Sequence, residues 1–141
     1  MEKILCATRG GEASYRTQDA AIALAQKRND ELLFLYVADV KFLLSTAHAV
    51  RPNVVMAEME KMGEFFLALA QERAQKQGVT ASYTLCHGDL NDAIKTAARQ
   101  PDVTLVVLGK PGGAESAFVP ESLEALAAEI EFEAKTSVRI L

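Results

Sequence analysis

The chain has 141 residues, of which 50% are hydrophobic and 24% are charged, and its formal net charge is −4 at pH 7. This size and balance are typical of one globular domain with its own core, and they argue against a disordered chain or two full α/β domains. The mildly acidic surface also disfavours nucleic acid as a partner, because binding a phosphate backbone requires a concentrated basic patch.

The hydrophobic residues are too dispersed for a membrane-spanning helix. Such a helix needs roughly 18 consecutive apolar residues, whereas the most apolar run covers only residues 32–38. The first residues lead directly into a strand-like run, without the basic region and cleavage site of a signal peptide. We therefore expect a cytoplasmic protein that makes no membrane contact.

The first part of the chain predicts a strand, a helix and a second strand. Residues 3–8 form a short apolar run that ends at Gly10 and Gly11, as expected for a buried strand and a tight loop. Ser14 is the predicted N-cap of a helix whose apolar positions recur at helical spacing as far as Ala25. Residues 31–40 are rich in Leu, Phe, Tyr and Val and predict the second strand. Residues 41–53 stay unassigned.

The middle of the chain predicts the longest helix. It begins after Pro52, a residue suited to a first helical position, and ends near Gly78. Apolar residues recur there at steps of four and three and predict a core-facing stripe, which consists of Val55, Met59, Met62, Phe66 and Leu69. We interpret Met59 and Met62 as core residues rather than as an adaptable binding surface, while the role of Met56 stays open.

The last part of the chain predicts two more helices and three strands. Residues 79–86 alternate weakly as a strand, and Asp89 is the predicted N-cap of a helix that begins at Leu90. Residues 103–108 give the clearest strand signal, which we expect at the centre of the sheet. A glycine-rich loop runs to about Pro120, a helix follows through Leu123 and Ile130, and residues 136–141 form a terminal strand.

Neither cysteine predicts a metal site or a catalytic centre. Cys6 and Cys86 both lie in apolar runs, where we expect small buried hydrophobic side chains rather than a disulfide. Cys86 and His87 are adjacent on a predicted strand, so their side chains point to opposite faces and cannot easily share one ion. His48 lies in the unassigned segment. No nucleophile and base come together, and we expect no catalytic residues and no metal.

The order of the elements predicts where a ligand would bind. Strands that alternate with helices favour a parallel sheet with right-handed crossovers, and ligands of such sheets lie outside the carboxyl ends of the strands. This places residues 8–11, 37–40 and 109–113 around one candidate site. We expect residues 1–141 to form a single domain.

Two motifs in this order resemble the universal stress protein family over almost the whole chain. Residues 4–8 (ILCAT), a glycine-rich turn and residues 12–14 (EAS) resemble that family's "ILVATDGSEAS" opening. Residues 103–109 (VTLVVLG) are similar to its "DLIVMG" strand, and Gly109-x-x-Gly112 matches the first half of its nucleotide-binding signature. The resemblance implies a five-stranded, mostly parallel sheet with helices on both faces, the Rossmann-like three-layer sandwich of adenine nucleotide alpha hydrolase-like proteins.

The second half of that signature is missing. ATP-binding members of the family carry a Gly followed by Ser or Thr about nine residues beyond the second Gly, but here this spacing falls on Ser122 and Leu123. No glycine follows Gly113. Glu121 and Glu124 stand at this helix entrance, where they suit the helix dipole but would repel a triphosphate. We therefore expect ATP binding to be lost or weakened and no cofactor to be bound.

Arg9 is a second departure, because it replaces the Asp that usually follows the family's first strand. Arg9 and Lys110 could bind a phosphorylated or carboxylated ligand, or Arg9 could be an exposed side chain that pairs with Glu12 or water. The alternative to a lost site is a protein that still binds ATP or AMP. The residues of a retained site would be Thr8, Arg9, Gly10, Val37, Gly109, Lys110, Gly112, Gly113 and Ser122.

The resemblance implies a non-enzymatic stress-response or regulatory protein that acts by association. Family members commonly dimerise through the terminal strand, and an exposed strand edge needs a partner or a cover. We therefore expect a homodimer, and a further protein partner stays open. The predicted interface consists of Ser137, Val138, Arg139, Ile140 and Leu141.

Overall fold

Strands and helices alternate along the described part of the chain. The computed structural model describes residues 2–8, 12–38, 52–109 and 120–140. In chain order the elements are β1 (Lys3–Ala7), α1 (Glu12–Arg28), β2 (Glu31–Ala38), α2 (Pro52–Lys76), β3 (Ala81–His87), α3 (Leu90–Ala98), β4 (Val103–Leu108), α4 (Pro120–Ala134) and β5 (Ser137–Ile140). The predicted order of strands and helices is confirmed, and the unassigned residues 41–51 lie outside the described ranges.

The strands form one sheet in the order β3-β2-β1-β4-β5. Every pairing between the described strands is parallel, and Ile4 of β1 lies between Leu32 of β2 and Leu105 of β4. The predicted parallel sheet is therefore confirmed. The central position belongs to β1 and not, as expected, to β4. The sequences of β1 and β4 are both nearly continuous apolar runs, because both strands are interior and covered on both faces. Such runs do not show which of the two strands is central.

Helices cover both faces of the sheet, which makes the fold a three-layer sandwich. Alternate residues of each strand point to opposite faces. In β2, Leu32 and Phe34 pack in the core that also contains residues of α1 and α2. Leu33 and Leu35 pack in a second core with residues of α3 and α4. The predicted arrangement of helices on both faces is confirmed.

The buried face of α2 differs from the predicted stripe. Leu67, Ala70 and Ala74 are fully buried, whereas Met62 is 51% exposed, so its assignment to the core is wrong. Gly63 explains the shift: a Cβ there would come within 2.5 Å of the Tyr36 ring, so the helix packs on the sheet through small residues. Three further apolar residues of α2 pack at the margin of this core: Met56, Met59 and Phe66. The side chain of Val55 lies outside the part of the chain that the structure describes.

Two helix starts were predicted from capping residues, with different outcomes. Asp89 caps α3 as predicted, because its Oδ1 accepts a hydrogen bond of 3.0 Å from the backbone N–H of Asp92. Helix α1 begins at Glu12, so Ser14 lies inside the helix and is not its N-cap. Capping preferences identify residues that tolerate a helix start, but Ser also occurs within the first turn.

The two cysteines lie on opposite faces of the sheet, so they cannot form a disulfide with each other. Cys6 is fully buried in the core beneath α1 and α2, and burial raises the pKa of its thiol to about 12. Cys86 is partly exposed and packs against the core beneath α3 and α4, so the expectation that it is buried holds only in part. None of the helices in the described ranges is long and apolar enough to cross a membrane.

Candidate functional site

The topology creates one switch point in the sheet, between β1 and β4. From β1 the chain crosses over to β2 on one side, and from β4 it crosses over to β5 on the other side. In open parallel sheets, ligands bind in the crevice outside the carboxyl ends of the strands at such a switch point. Thr8 directly follows β1 and Gly109 directly follows β4. Both residues thus lie at the predicted place.

Thr8 is held by β2 and by α1. Its backbone N–H donates to the carbonyl oxygen of Leu35 at 2.8 Å, and its hydroxyl accepts a hydrogen bond of 2.8 Å from Nε2 of Gln18. Thr8 is only 5% exposed and Gln18 only 1%. The other amide atom, Gln18 Oε1, is buried and has no hydrogen-bond partner among the described residues. A polar acceptor is therefore left unsatisfied beside the switch point, which is uncommon in folded proteins.

Gln18 is not among the residues predicted for the site, although the sequence carries a signal for it. Gln18 precedes Ala21 and Ile22 by three and four positions, and both of these residues are buried. Residues at this spacing share one helix face, so Gln18 is a polar residue on the buried face of α1. Polar side chains are rarely fully buried without a specific contact. A glutamine on the buried face of α1 is therefore a sequence signal for a polar site beneath this helix.

Gly109 lies directly against α1. A Cβ at this position would stand 2.5 Å from the hydroxyl oxygen of Thr17, a distance at which one of the two residues must move. Thr17 itself is buried. Close packing against α1 therefore requires glycine here whether or not a phosphate binds nearby.

The remaining predicted site residues do not all converge on Thr8. Val37 packs against the core beneath α3 and α4, on the opposite face of the sheet from the Thr8–Gln18 contact. Ser122 is the third residue of α4 and lies within the helix rather than before it. The other candidates lie outside the described residues; they are Arg9, Gly10, Lys110, Gly112 and Gly113.

Helix α4 is strongly acidic. Its sequence, PESLEALAAEIEFEA, contains five glutamates and no lysine or arginine. Lys95 of α3 reaches Glu129 at 2.6 Å and Glu133 at 3.4 Å, and the hydrogen bond to Glu129 is the main cause that raises the pKa of Lys95. The two contacts use a basic side chain of the neighbouring helix, and they lie near the carboxyl end of α4, far from its entrance. Glu124, in the first turns of α4, is exposed and does not take part in these contacts with Lys95.

Cys86 and His87 point to opposite faces, as predicted. His87 Nε2 lies 2.6 Å from Glu60 Oε1 of α2, whereas Cys86 packs against the core beneath α3 and α4. Both residues contribute to the lining of a groove of about 420 Å³ between β3 and α3. The groove has Leu33 and Leu35 among its lining residues and lies away from the switch point. Within the described ranges, no three His, Cys, Asp or Glu side chains come together in a group that could hold a metal ion.

The terminal strand β5 forms one edge of the sheet. It pairs with β4, and no described strand pairs with its other side. Val138 and Ile140 are half-buried and pack against the core beneath α4, while Ser137 and Arg139 are exposed. Leu141, the last residue of the predicted interface, lies outside the described residues. An edge of this kind presents unpaired backbone N–H and C=O groups to a partner.

Comparison with known proteins agrees with this architecture. The model of the universal stress protein family matches residues 1–132. Universal stress protein YxiE of Bacillus subtilis is 28% identical over 119 residues, which cover 78% of this chain and 79% of YxiE. Universal stress protein UspA from Lactobacillus plantarum superimposes with a TM-score of 0.77 at 18% identity and covers 99% of this chain and 97% of its own.

A universal stress protein solved in complex with cAMP has a similar fold. Its TM-score is 0.69 at 23% identity, and the superposition covers 99% of this chain and 96% of that protein. The match to the family model is the stronger observation, because it extends over nearly the whole sequence and includes both motifs that resemble the family. The chain therefore belongs to the universal stress protein family.

Proposed function

We propose that this protein is a non-enzymatic, cytoplasmic member of the family that acts by forming a homodimer and binding partners, and that it has lost or greatly weakened ATP binding. The entrance of α4 is the observation that carries the proposal. The position at which ATP-binding relatives are expected to carry Gly followed by Ser or Thr falls inside this helix, and no glycine follows Gly113 in the sequence.

The physical reason is the way in which a helix entrance binds phosphate. Such a site needs free backbone N–H groups that a phosphate can approach closely, and glycine permits this approach because it has no side chain. Here Glu121, Ser122 and Glu124 occupy the first turns of α4, and Glu124 is exposed. A carboxylate in the first turn stabilises the helix dipole but repels a polyphosphate. The glutamates near the carboxyl end of α4, Glu129 and Glu133, pair with basic residues of α3 and its C-cap, so the repulsion would act at the first turns of the helix.

Nucleotide binding can be tested by adding ATP with Mg²⁺ and following thermal unfolding. A ligand that binds only the folded state raises the unfolding temperature, and the rise grows with the logarithm of the ligand concentration once that concentration exceeds the Kd. We expect no shift for the wild-type protein at millimolar nucleotide. The variant E121G/E124Q places a glycine directly before Ser122, one residue earlier than the family spacing, and leaves the buried Leu123 in place. It also removes both carboxylates from the helix entrance, so we expect ATP to stabilise it.

A matched control is E131Q, which removes one negative charge from an exposed position near the other end of α4. It should respond to ATP as the wild type does. A shift for the wild-type protein at micromolar ATP would contradict the proposed loss of binding.

The open edge at β5 supports the proposed homodimer. Asp side chains at both exposed positions of β5, in the variant S137D/R139D, would face like charges across a two-fold β5 contact. Light scattering of the dilute protein should then give twice the chain mass for the wild type and the chain mass for this variant. S82D places a charge at an exposed position on β3, the opposite edge strand, and should stay dimeric. A monomeric wild type would contradict the dimer.

The second candidate function is binding of a nucleotide such as ATP or AMP at the remaining part of the site. Two observations favour it. Gln18 Oε1, beside Thr8, has no hydrogen-bond partner among the described residues and is an acceptor suited to a base or ribose, and a structurally similar protein was solved in complex with cAMP. Native mass spectrometry of the freshly purified protein separates the two candidates. A co-purified nucleotide would favour binding, and its absence together with no thermal shift would favour loss.

A further inference from the structure

The face of α2 that points away from the sheet carries large apolar side chains. Phe65 is 61% exposed and Met62 is 51% exposed, and Leu69, one helical turn after Phe65, is partly exposed. These residues lie opposite the fully buried Leu67, Ala70 and Ala74. Several neighbouring apolar side chains on a solvent-facing stripe are more typical of an interaction surface than of a free helix. We call Met62, Phe65 and Leu69 the outer stripe.

Charged residues flank the outer stripe in a symmetric pattern. Glu58 and Lys61 precede it and approach each other to 3.9 Å, and Glu72 and Lys76 follow it at 3.3 Å. An α-helix turns by about 100° per residue. Glu58 and Lys76 are therefore five turns apart and point in the same direction from the helix axis. Lys61 and Glu72 also point in nearly the same direction as each other, to one side of Glu58 and Lys76. Each end of the stripe thus carries one acid and one base.

We propose that the outer stripe binds the same surface of a second copy of this chain, with the two α2 helices antiparallel about a two-fold axis near residue 67. In this arrangement Glu58 of each copy faces Lys76 of the other, and Lys61 faces Glu72. Phe65 of each copy packs against Leu69 of the other at the centre. A two-fold contact of this kind places a given flank of one helix against the same flank of its mate, so both charge pairs form together.

The charges favour an antiparallel over a parallel contact between the α2 helices of two copies. A parallel pairing in register would bring Glu58 against Glu58 and Lys76 against Lys76, which is repulsive. Arg73, the other cation near the carboxyl end of α2, does not disturb the antiparallel contact. Its guanidinium is turned towards α1, where it pairs with Asp19 and lies over the Tyr15 ring. The outer face of α2 therefore complements itself.

This contact is separate from the proposed β5 contact and does not depend on it. Helix α2 packs over β2 and β3, at the opposite edge of the sheet from β5. Both surfaces can bind at the same time, so dimers formed through β5 would associate further. We expect the α2 contact to be weak, because one pair of helices buries less than the ~1,200 Å² of a small stable interface.

Sedimentation velocity of the full chain over a wide range of protein concentrations tests the proposal. The wild type should gain mass as the concentration rises, and F65E should keep its low-concentration mass. V54E is the matched control: Val54 is 54% exposed on the same helix, but the position that would oppose it lies beyond the end of the second helix. The S137D/R139D variant, with and without F65E, separates the two contacts. Because this variant lacks the β5 contact, the α2 contact alone should convert it from monomer to dimer as the concentration rises.

Charge reversal tests the predicted orientation. E58K and K76E should each reduce the association, since each brings like charges together, and the double variant E58K/K76E should restore it. An equimolar mixture of the two single variants should also associate, as mixed pairs regain both contacts. Circular dichroism checks that each variant is folded. A wild type that never exceeds the mass of F65E, an equal effect of V54E, or no rescue in the double variant would overturn the proposal; the first result would point to a foreign partner for this face.

Discussion

Gly109 stands where β4 ends and the main chain comes close to the side chain of Thr17. In many nucleotide-binding proteins a glycine at this place is explained by the approach of a phosphate. Here the neighbouring helix supplies an independent reason, since an added Cβ would stand 2.5 Å from the Thr17 hydroxyl oxygen and one of the two residues would have to move. The presence of Gly109 is therefore compatible with a site that no longer binds a phosphate.

The variant G109A should be less stable than the wild type by about 1 to 3 kcal/mol, the usual cost of forcing an extra carbon atom into a packed core. Urea unfolding followed by circular dichroism measures this difference. T17A in the same chain removes the hydroxyl that causes the clash, so G109A should cost clearly less in the T17A background than in the wild type. Equal costs in both backgrounds would show that Thr17 is not the obstacle.

Cys6 and Cys86 should differ strongly in reactivity. Burial raises the pKa of Cys6 to about 12, so almost none of it is thiolate near neutral pH, and the side chain is inaccessible. Cys86 is partly exposed at the groove beside β3. A thiol reagent such as Ellman's reagent should modify one cysteine in the native protein and two after denaturation. C86S should lose the native reaction; modification of Cys6 in the folded C86S variant would contradict this difference.

At the scale of elements, α3 depends on its N-cap. Asp89 accepts from the backbone N–H of Asp92, and loss of such a cap costs about 0.5 to 2 kcal/mol. D89A should lower the free energy of unfolding by about 1 kcal/mol in urea titrations, and D89N should recover most of the loss because its side-chain oxygen can still accept. The exposed Asn91, two residues after Asp89, provides a control, and N91A should be close to neutral. A neutral D89A would mean that α3 is held by packing alone.

Most elements could be predicted because their signals are local. Continuous apolar runs predicted the strands, and helical spacing predicted all four helices of the described part. The buried face of α2 could not be predicted by choosing the largest apolar side chains, because the helix approaches the sheet through Gly63. How closely two elements approach depends on both partners, here Gly63 and the Tyr36 ring, and a single stretch of sequence does not contain that information.

The candidate site was predicted only in part for a similar reason. Thr8 and Gly109 lie at neighbouring strand ends, as the topology requires. Val37 was assigned to the same site from its place at the end of β2, yet its side chain belongs to the other face of the sheet. Strand alternation depends on register, and one residue of shift reverses it. The motifs that resemble the family do not include Gln18, because the first of them ends at residue 14 and the next begins at residue 103, whereas Gln18 lies further along α1.

At the scale of the whole molecule, an ion pair links β1 to the start of β4. Lys3 Nζ lies 3.1 Å from Asp102 Oδ2, and this contact with Lys3 is the main cause that lowers the pKa of Asp102 below 3.8. A carboxyl group whose pKa is lower in the folded state stabilises the fold above its unfolded pKa, and this contribution is lost as the pH falls through the folded pKa. The pair should therefore matter at neutral pH and disappear in strong acid.

Replacing either partner should have the same effect on the pH dependence. D102N and K3M should both reduce the loss of stability that the wild type shows as the pH falls from about 5 to below 3.8, the range that follows from the lowered pKa. Urea unfolding at a series of pH values measures this slope. If both variants keep the slope of the wild type, other carboxyl groups control the acid sensitivity.

The central strand, β1, is synthesised before the other four described strands of the sheet. Lys3 at its start finally lies beside Val103, a hundred positions later in the chain. Until β4 has been synthesised, β1 can pair only with β2, and its other side remains open to any extended segment nearby. Contacts between such distant residues form slowly, and partly built parallel sheets aggregate easily. Nascent chains of this protein should therefore need protection, by a chaperone or by rapid completion, for most of their synthesis.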